Sequence, residues 1–327
     1  MNKTLTLWPA LRALVVSCGL ALVGTLAAAQ AFPGKTLKIV VPYPPGGTTD
    51  MLARAVAKGL SDAYQQTVVV ENRPGAGGNL GVDAVARSAP DGLTLGVTGT
   101  NSFAINPHLS RKLPYDPLKD LAQVAVLGFV PNVLVVHPSL AAHSVAELVA
   151  LARKTPLAFA SPGPGTTLHL AGEMINAAAG IDMTHVPYKG DTAALQDVIG
   201  GRVPVMASNL AVVLPHIRAG TLRALAVLSA RRAPQLPELP TMVEAGYKDF
   251  DVSVWFSLFA PAGAPAAVLE RHHKEVAAAL ASPALREQLR AANVEAAALT
   301  MEQARSFTLA ESERWGRVVK KLGITWD

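Results

Sequence analysis

The sequence predicts an α/β protein of two doubly wound lobes joined by two crossing strands. Three observations carry that expectation. Short β-branched runs, apolar on both faces, alternate with helix-period segments, as buried parallel strands and their crossover helices do. Two apolar runs are too long for one ordinary strand of about five or six residues. One strand-to-helix turn occurs twice, about a small domain apart. It reads Val41-Pro42-Tyr43-Pro44-Pro45-Gly46-Gly47-Thr48-Thr49, then Ala160-Ser161-Pro162-Gly163-Pro164-Gly165-Thr166-Thr167. The bulk numbers agree: 327 residues, 50% hydrophobic and 16% charged, suit two globular domains and exclude a disordered chain.

The first 31 residues read as a targeting segment. Lys3 and Arg12 supply the positive end, and residues 13–29 are apolar except Ser17, Cys18, Gly19, Gly24 and Thr25. Ala29-Gln30-Ala31 is a small-x-small cleavage site before Phe32. The competing reading is a retained membrane anchor, but the apolar core is short and the cleavage site follows at once. Cys18 is the single cysteine, and Val15-Val16-Ser17-Cys18 only loosely matches a lipoprotein box. Cleavage near Ala31 leaves no disulfide and no thiolate chemistry, which suits export to a bacterial periplasm. The net charge of +5 contains no basic run, so nucleic acid is not an expected partner.

Strands are predicted over 37–42, 67–71, 93–98, 157–160, 183–186, 203–207 and 222–228. Helices are predicted over 48–63, where Met51, Leu52, Ala55, Val56 and Leu60 share a face, and over 144–154. Ser144 with Glu147 reads as a capping box for the latter. The run 124–136, interrupted by Gly128 and Pro131-Asn132, reads as a strand, a hinge and a strand into the next lobe. The run 250–260 reads as the return crossing. Lobe one is then 32–130 plus 253–327, and lobe two 131–252. The tail predicts helices over 266–281, 283–292 and 301–322, with His272 and His273 on a solvated face. Asn79 is read as a helix cap.

Each Pro/Gly turn aims free N–H groups and the positive end of a helix dipole at one spot, which suits an anion. Gly46, Gly47, Thr48 and Thr49 from lobe one, and Ser161, Gly165, Thr166 and Thr167 from lobe two, are the candidate grip. A plain turn with a Thr cap is the alternative. Asp50 either stabilises its own helix start or accepts from a ligand amine or hydroxyl. Thr98, Thr100 and Asn101 follow a strand end, where open α/β sheets bind ligands. His169 either donates to a carboxylate or caps a helix. Its spacing to Glu173 lacks a third metal ligand, so neither a metal nor a cofactor is expected. Tyr188 and Lys189 end a strand, with Lys189 either a second-carboxylate contact or a rim lysine. Asn209 is an amide contact. Tyr43, Trp255 and Phe256 are cleft wall or core.

Several motifs then carry a resemblance. Pro42 to Asp50, Glu71-Asn72-Arg73-Pro74-Gly75-Ala76-Gly77-Gly78-Asn79, Leu113-Pro114-Tyr115-Asp116-Pro117, His185-Val186-Pro187-Tyr188-Lys189-Gly190 and Phe259-Ala260-Pro261-Ala262-Gly263 resemble the Bug family. These are extracytoplasmic solute-binding proteins of tripartite tricarboxylate transporters. The likeness runs from Phe32 to the C-terminus. It implies a type II periplasmic binding-protein fold, a small carboxylate held between the lobes, and two integral membrane transporter subunits as partners; the protein itself is expected to be a monomer. Two positions depart from the family's habit. Pro164 stands where Asn is frequent, removing an N–H, and Ser208 stands where Asp is frequent, removing a charge.

The leading function is a non-catalytic receptor that closes on its ligand. A sensor subunit shares fold and closure and differs in partner. An exported enzyme would want a G-x-S-x-G elbow or a Ser/His/Asp set, and neither motif is found.

Overall fold

The computed structural model describes residues 32–325. The expected export segment, with Cys18 and the expected cleavage site Ala29-Gln30-Ala31, lies outside them. β1 (Leu37–Val41), β2 (Val68–Asn72) and β3 (Thr94–Gly99) are short, apolar and mutually parallel around β1. α1 (Thr48–Tyr64) and α2 (Asn79–Ala86) connect them. A π-helical turn over Asn101–Ile105 leads into α3 (Asn106–Leu109). α1 buries Leu52, Val56 and Leu60 against this sheet. Each such side chain contributes roughly 1.5–3 kcal/mol.

β4 (Leu121–Val136) carries the chain into the second lobe. There α4 (Val145–Ala152), β5 (Ala158–Ser161), α5 (Thr167–Ala179), β6 (Thr184–Pro187), α6 (Asp191–Ile199), β7 (Val205–Asn209), α7 (Leu210–Arg218) and β8 (Arg223–Val227) alternate. β5 runs parallel to both β6 and β7. β9 (Ser253–Pro261) returns to the first lobe, followed by α8 (Ala266–Ala281), α9 (Pro283–Ala291), β10 (Glu295–Ala296) and α10 (Met301–Leu322). The strands form one sheet in the order β2-β1-β3-β9-β4-β7-β5-β6, with β8 and β10 also on β4.

β4 corrects the expected hinge. It is a single strand of 16 residues. Its first part pairs with β9 as far as Pro131 opposite Ser253, and from Asn132 onward it pairs with β7 and β8. Pro131 costs little there, because its missing N–H falls where the partner strand changes. Gly128 is a close approach and not a break. A Cβ at Gly128 would stand 2.7 Å from the Glu295 carbonyl oxygen, so glycine is what lets β10 pair. The return crossing starts later than expected, since residues 250–252 precede β9. Asn132 ties the crossings together. Its Nδ2 donates to the Val252 carbonyl at 2.8 Å and its carbonyl accepts from Leu228 N at 2.7 Å.

Three smaller expectations also change. His272 is fully buried, bonded to Tyr64 Oη and the Gly92 carbonyl at 2.9 Å each, and His273 reaches the Val124 carbonyl. Helix α8 packs closely on α1, with Gly59 against Ala279, and His272 lies on its buried face with Leu269, Val276 and Leu280, not on the exposed one. Asn79 is the first residue of α2 behind a Gly78 cap, and its Oδ1 accepts from Asn106 and Tyr115. At α4, Ser144 Oγ accepts from Glu147 N, but Glu147 turns to His143 N, so half of the capping box forms.

Candidate functional site

The two matching turns are built differently. At the first, Gly46 has φ +93°, a conformation that favours glycine. The cap of α1 is Gly47, with no side-chain hydrogen bond. Asp50 is consumed in shaping this turn. Its carboxylate accepts from Gly46 N at 3.1 Å, from Arg54 Nε and a terminal Arg54 nitrogen at 3.0 Å, and from Asn72 Nδ2 at 2.9 Å. Burial alone would raise its pKa, but the bonds from Arg54, Asn72 and Gly46 outweigh burial and hold it below the usual carboxylate range. Asp50 is therefore fully paired within the protein.

At the second turn the cap is Thr166. Its Oγ1 accepts from His169 N at 3.2 Å and donates to the Gly163 carbonyl at 2.8 Å. The Gly165 N–H goes to His169 Nδ1 at 3.3 Å. His169 stacks on His185 with ring centres 4.0 Å apart and reaches Glu173 at 3.6 Å. His185 Nε2 pairs with Ser161 Oγ at 2.6 Å. Burial, followed by the charge on His169, pushes His185 down to about 4, so His185 is neutral at pH 7. Ser161, Gly165 and His169 thus hold the loop in shape from behind.

The glycine N–H groups expected to grip an anion are spoken for at Gly46 and Gly165. The open donors lie one step later. The first main-chain bond of α1 is Met51 N to the Gly47 carbonyl, and that of α5 is Leu170 N to the Thr166 carbonyl. The N–H groups of Thr48, Thr49, Thr167 and Leu168 therefore precede the helical ladders. Thr49, Thr167 and Leu168 line one cleft between the lobes. Among the described residues, neither the Thr49 nor the Thr167 hydroxyl makes a side-chain hydrogen bond within the protein.

Tyr43, Asn101, Thr166 and Asn209 complete the expected part of that lining. Tyr43 Oη donates to the Gly77 carbonyl at 3.1 Å and to Asn101 Oδ1 at 3.2 Å, which fixes both side chains against the Gly-rich loop. Burial raises the Tyr43 phenol far above its ordinary range. Asn209 Nδ2 donates across the cleft to Thr48 Oγ1 at 3.3 Å. Gly190 lies against Pro44 and Thr192 against Gly46, so the lobes meet around the cleft mouth.

The other expected residues are elsewhere. Thr98 pairs with Ser102, and Thr100 Oγ1 accepts from Trp255 N at 2.9 Å and donates to the Trp255 carbonyl. Tyr188 turns away to Asp197 at 2.7 Å, and Lys189 is an exposed rim residue. Trp255 points into the core, with Phe103 and Phe307 around it and Nε1 on Glu311. Strand alternation is the reason: on β9 it is Val254 and Phe256 that reach the cleft.

The family described as "Tripartite tricarboxylate transporter family receptor" matches residues 52–324. The chain belongs to this family. The receptor is 39% identical over 298 residues to Protein BugT of Bordetella pertussis, covering 90% of this chain and 91% of BugT. Among solved structures, R. palustris Rpa4515 with adipate is 38% identical with a TM-score of 0.86, covering 90% and 99% of the two chains. MatC from Rhodopseudomonas palustris with bound malate is 31% identical with a TM-score of 0.84, covering 88% and 100%. The family is one of transporter receptors. Among the receptor's described residues no helix is long and apolar enough to cross a membrane.

Pro162, Leu168, Val254 and Asp191 stand in the lining beyond the expected residues. Val254 was legible from alternation about Phe256. Asp191 was legible too, because β6, Gly190 and α6 repeat the strand–turn–helix pattern a third time.

Proposed function

We propose that the receptor captures a small carboxylate in this cleft, from the periplasm, and hands it to integral membrane transporter subunits. The observation that carries the reading is the meeting of two helix starts from opposite lobes. α1 and α5 bring Thr49, Thr167 and Leu168 to one cleft whose lining contains no Lys or Arg. Backbone N–H groups and helix dipoles stabilise an anion without a fixed positive charge, which suits a ligand that must later be released. Thr49 and Thr167 add hydroxyl donors, and Tyr43, Asn101, Val254 and Phe256 form the wall. The lobes, 32–130 plus 253–327 and 131–252, close about β4 and the segment before β9. Closing excludes water and strengthens each hydrogen bond to the ligand. The adipate and malate carried by the two R. palustris neighbours support the class. Export with cleavage near Ala31 gives the receptor access to that solute.

Titration calorimetry on protein refolded from denaturant tests the reading. The refolding strips carried-over ligand. A small carboxylate that binds and is recovered unchanged supports the receptor. A ligand at a hundred times its Kd also adds about 2.7 kcal/mol of stability, visible as a raised Tm. Turnover of the bound solute, or silence across mono- and dicarboxylates, defeats it.

A further inference from the structure

One charge in the cleft has no partner. Asp191 opens α6 behind Gly190 and enters the cleft from the lobe opposite α1. Its Oδ1 is buried and makes no hydrogen bond. Its Oδ2 lies over the cap of α1, 3.4 Å from where a Cβ on Gly47 would stand. Among the lining side chains it is the one formal charge. Asn209, 4% exposed in the same lining, likewise has a buried Oδ1 without a partner.

The contrast with Asp50 sharpens the point. Both aspartates sit in the first turn of a helix beside the cleft. Asp50 is neutralised by Arg54 and filled by Asn72 and Gly46, whereas nothing in the protein does this for Asp191. Burial pushes Asp191 up to about 6, so at pH 7 and above it is mainly ionised. A desolvated carboxylate is strongly unfavourable unless a cation or good donors reach it. A hydroxyl would supply a hydrogen bond and leave the charge uncompensated. A metal ion wants several ligands, and among the described residues no three His, Cys, Asp or Glu gather to hold one. A second carboxylate on the ligand would meet Asp191 as a like charge.

We propose that Asp191, with the unpartnered Asn209 oxygen in the same lining, forms an ammonium subsite, and that the ligand is a small amino carboxylate. The α1 and α5 starts take its carboxylate, and Asp191 takes its protonated amine. The inference rests on the carboxylate-receptor reading and adds the second functional group of the solute.

Calorimetry of the refolded full protein at pH 7.5 with matched pairs tests it: succinate with aspartate, glutarate with glutamate, and butyrate with 4-aminobutyrate. The expected result is that one amino member binds at least ten-fold tighter than its unsubstituted partner. Asp191→Asn keeps the shape, removes the charge, and abolishes that preference without weakening the unsubstituted acid. Unsubstituted acids binding as tightly as amino acids overturns the ammonium subsite and leaves the carboxylate reading standing. A preference that survives in Asp191→Asn overturns the role of Asp191. Asp191→Ser, smaller and uncharged, answers the same question if the Asn variant fails to fold. No binding in either series overturns the carboxylate reading and this proposal with it.

Discussion

Asn209 at the end of β7 donates to Thr48 Oγ1 at the start of α1, a hydrogen bond of 3.3 Å that runs from one lobe to the other. The two residues are 161 positions apart and belong to opposite walls of the cleft. The bond links the two lobes directly. Thr48→Val removes the acceptor at nearly constant shape and leaves the Asn209 amide unpartnered. The closed form should lose about 1–3 kcal/mol relative to the open one. Small-angle scattering of ligand-free protein should then show a larger radius of gyration, restored by ligand. An unchanged radius would remove this bond from the closing mechanism.

Thr49 and Thr167 should bind, and Thr166 should brace. Thr49→Val and Thr167→Val each delete a hydroxyl that lacks a partner within the protein. Each is expected to weaken carboxylate binding by about 1.5–3 kcal/mol, the range for a hydrogen bond to a charged group. Urea stability should hardly move. Thr166→Ala deletes the α5 cap and should lower stability by about 1 kcal/mol. Calorimetry and urea unfolding on the three variants separate the roles, and a reversed pattern would reassign them.

Asp191 should destabilise the empty protein at neutral pH. Folded, it keeps its proton up to about pH 6, against an ordinary value of 3.8. Between those values the folded state binds more protons than the unfolded one, so this contribution to stability falls as pH rises. Above pH 6 the penalty is complete, at most about 3 kcal/mol for a shift of this size. Asp191→Asn should therefore be more stable than the parent at pH 7.5 and no different near pH 3.5. Equal stabilities at both pH values would mean that Asp191 is solvated.

His185 acts in the opposite sense. Burial and the His169 charge push it down to about 4 from 6.5. Between pH 6.5 and 4 the unfolded state binds more protons, so the protein loses stability as pH falls through that window. His185→Gln should flatten that loss, at the expense of about 1 kcal/mol at pH 7.5 for the bond to Ser161. Urea unfolding at pH 4.5, 5.5, 6.5 and 7.5 reads both slopes. A parallel pair of curves would show that His185 does not titrate in this range.

The sequence by itself determined the α/β class, nearly every strand of the first lobe, and the two Pro/Gly turns that open α1 and α5. These features are local. A β-branched run, an apolar face at spacings of three and four, and a glycine at φ +93° are set by neighbours along the chain. Tertiary structure decided which atoms of those turns remain free. Gly46 N is taken by Asp50, and Gly165 N by His169, so the open donors shift to Thr49, Thr167 and Leu168. It turned Trp255 into the core and Phe256 to the cleft, because strand register fixes the face. It kept β4 unbroken, because β10 could approach Gly128. It also left Asp191 alone while giving Asp50 the Asn72 amide. The faces of Trp255 and Phe256, the approach of β10 to Gly128 and the Asn72 bond depend on partners far away in sequence, whereas Gly46 with Asp50 and Gly165 with His169 pair four residues apart once each turn is folded. A hydrogen-bond donor or a charge is functional only once every competing partner around it is in place.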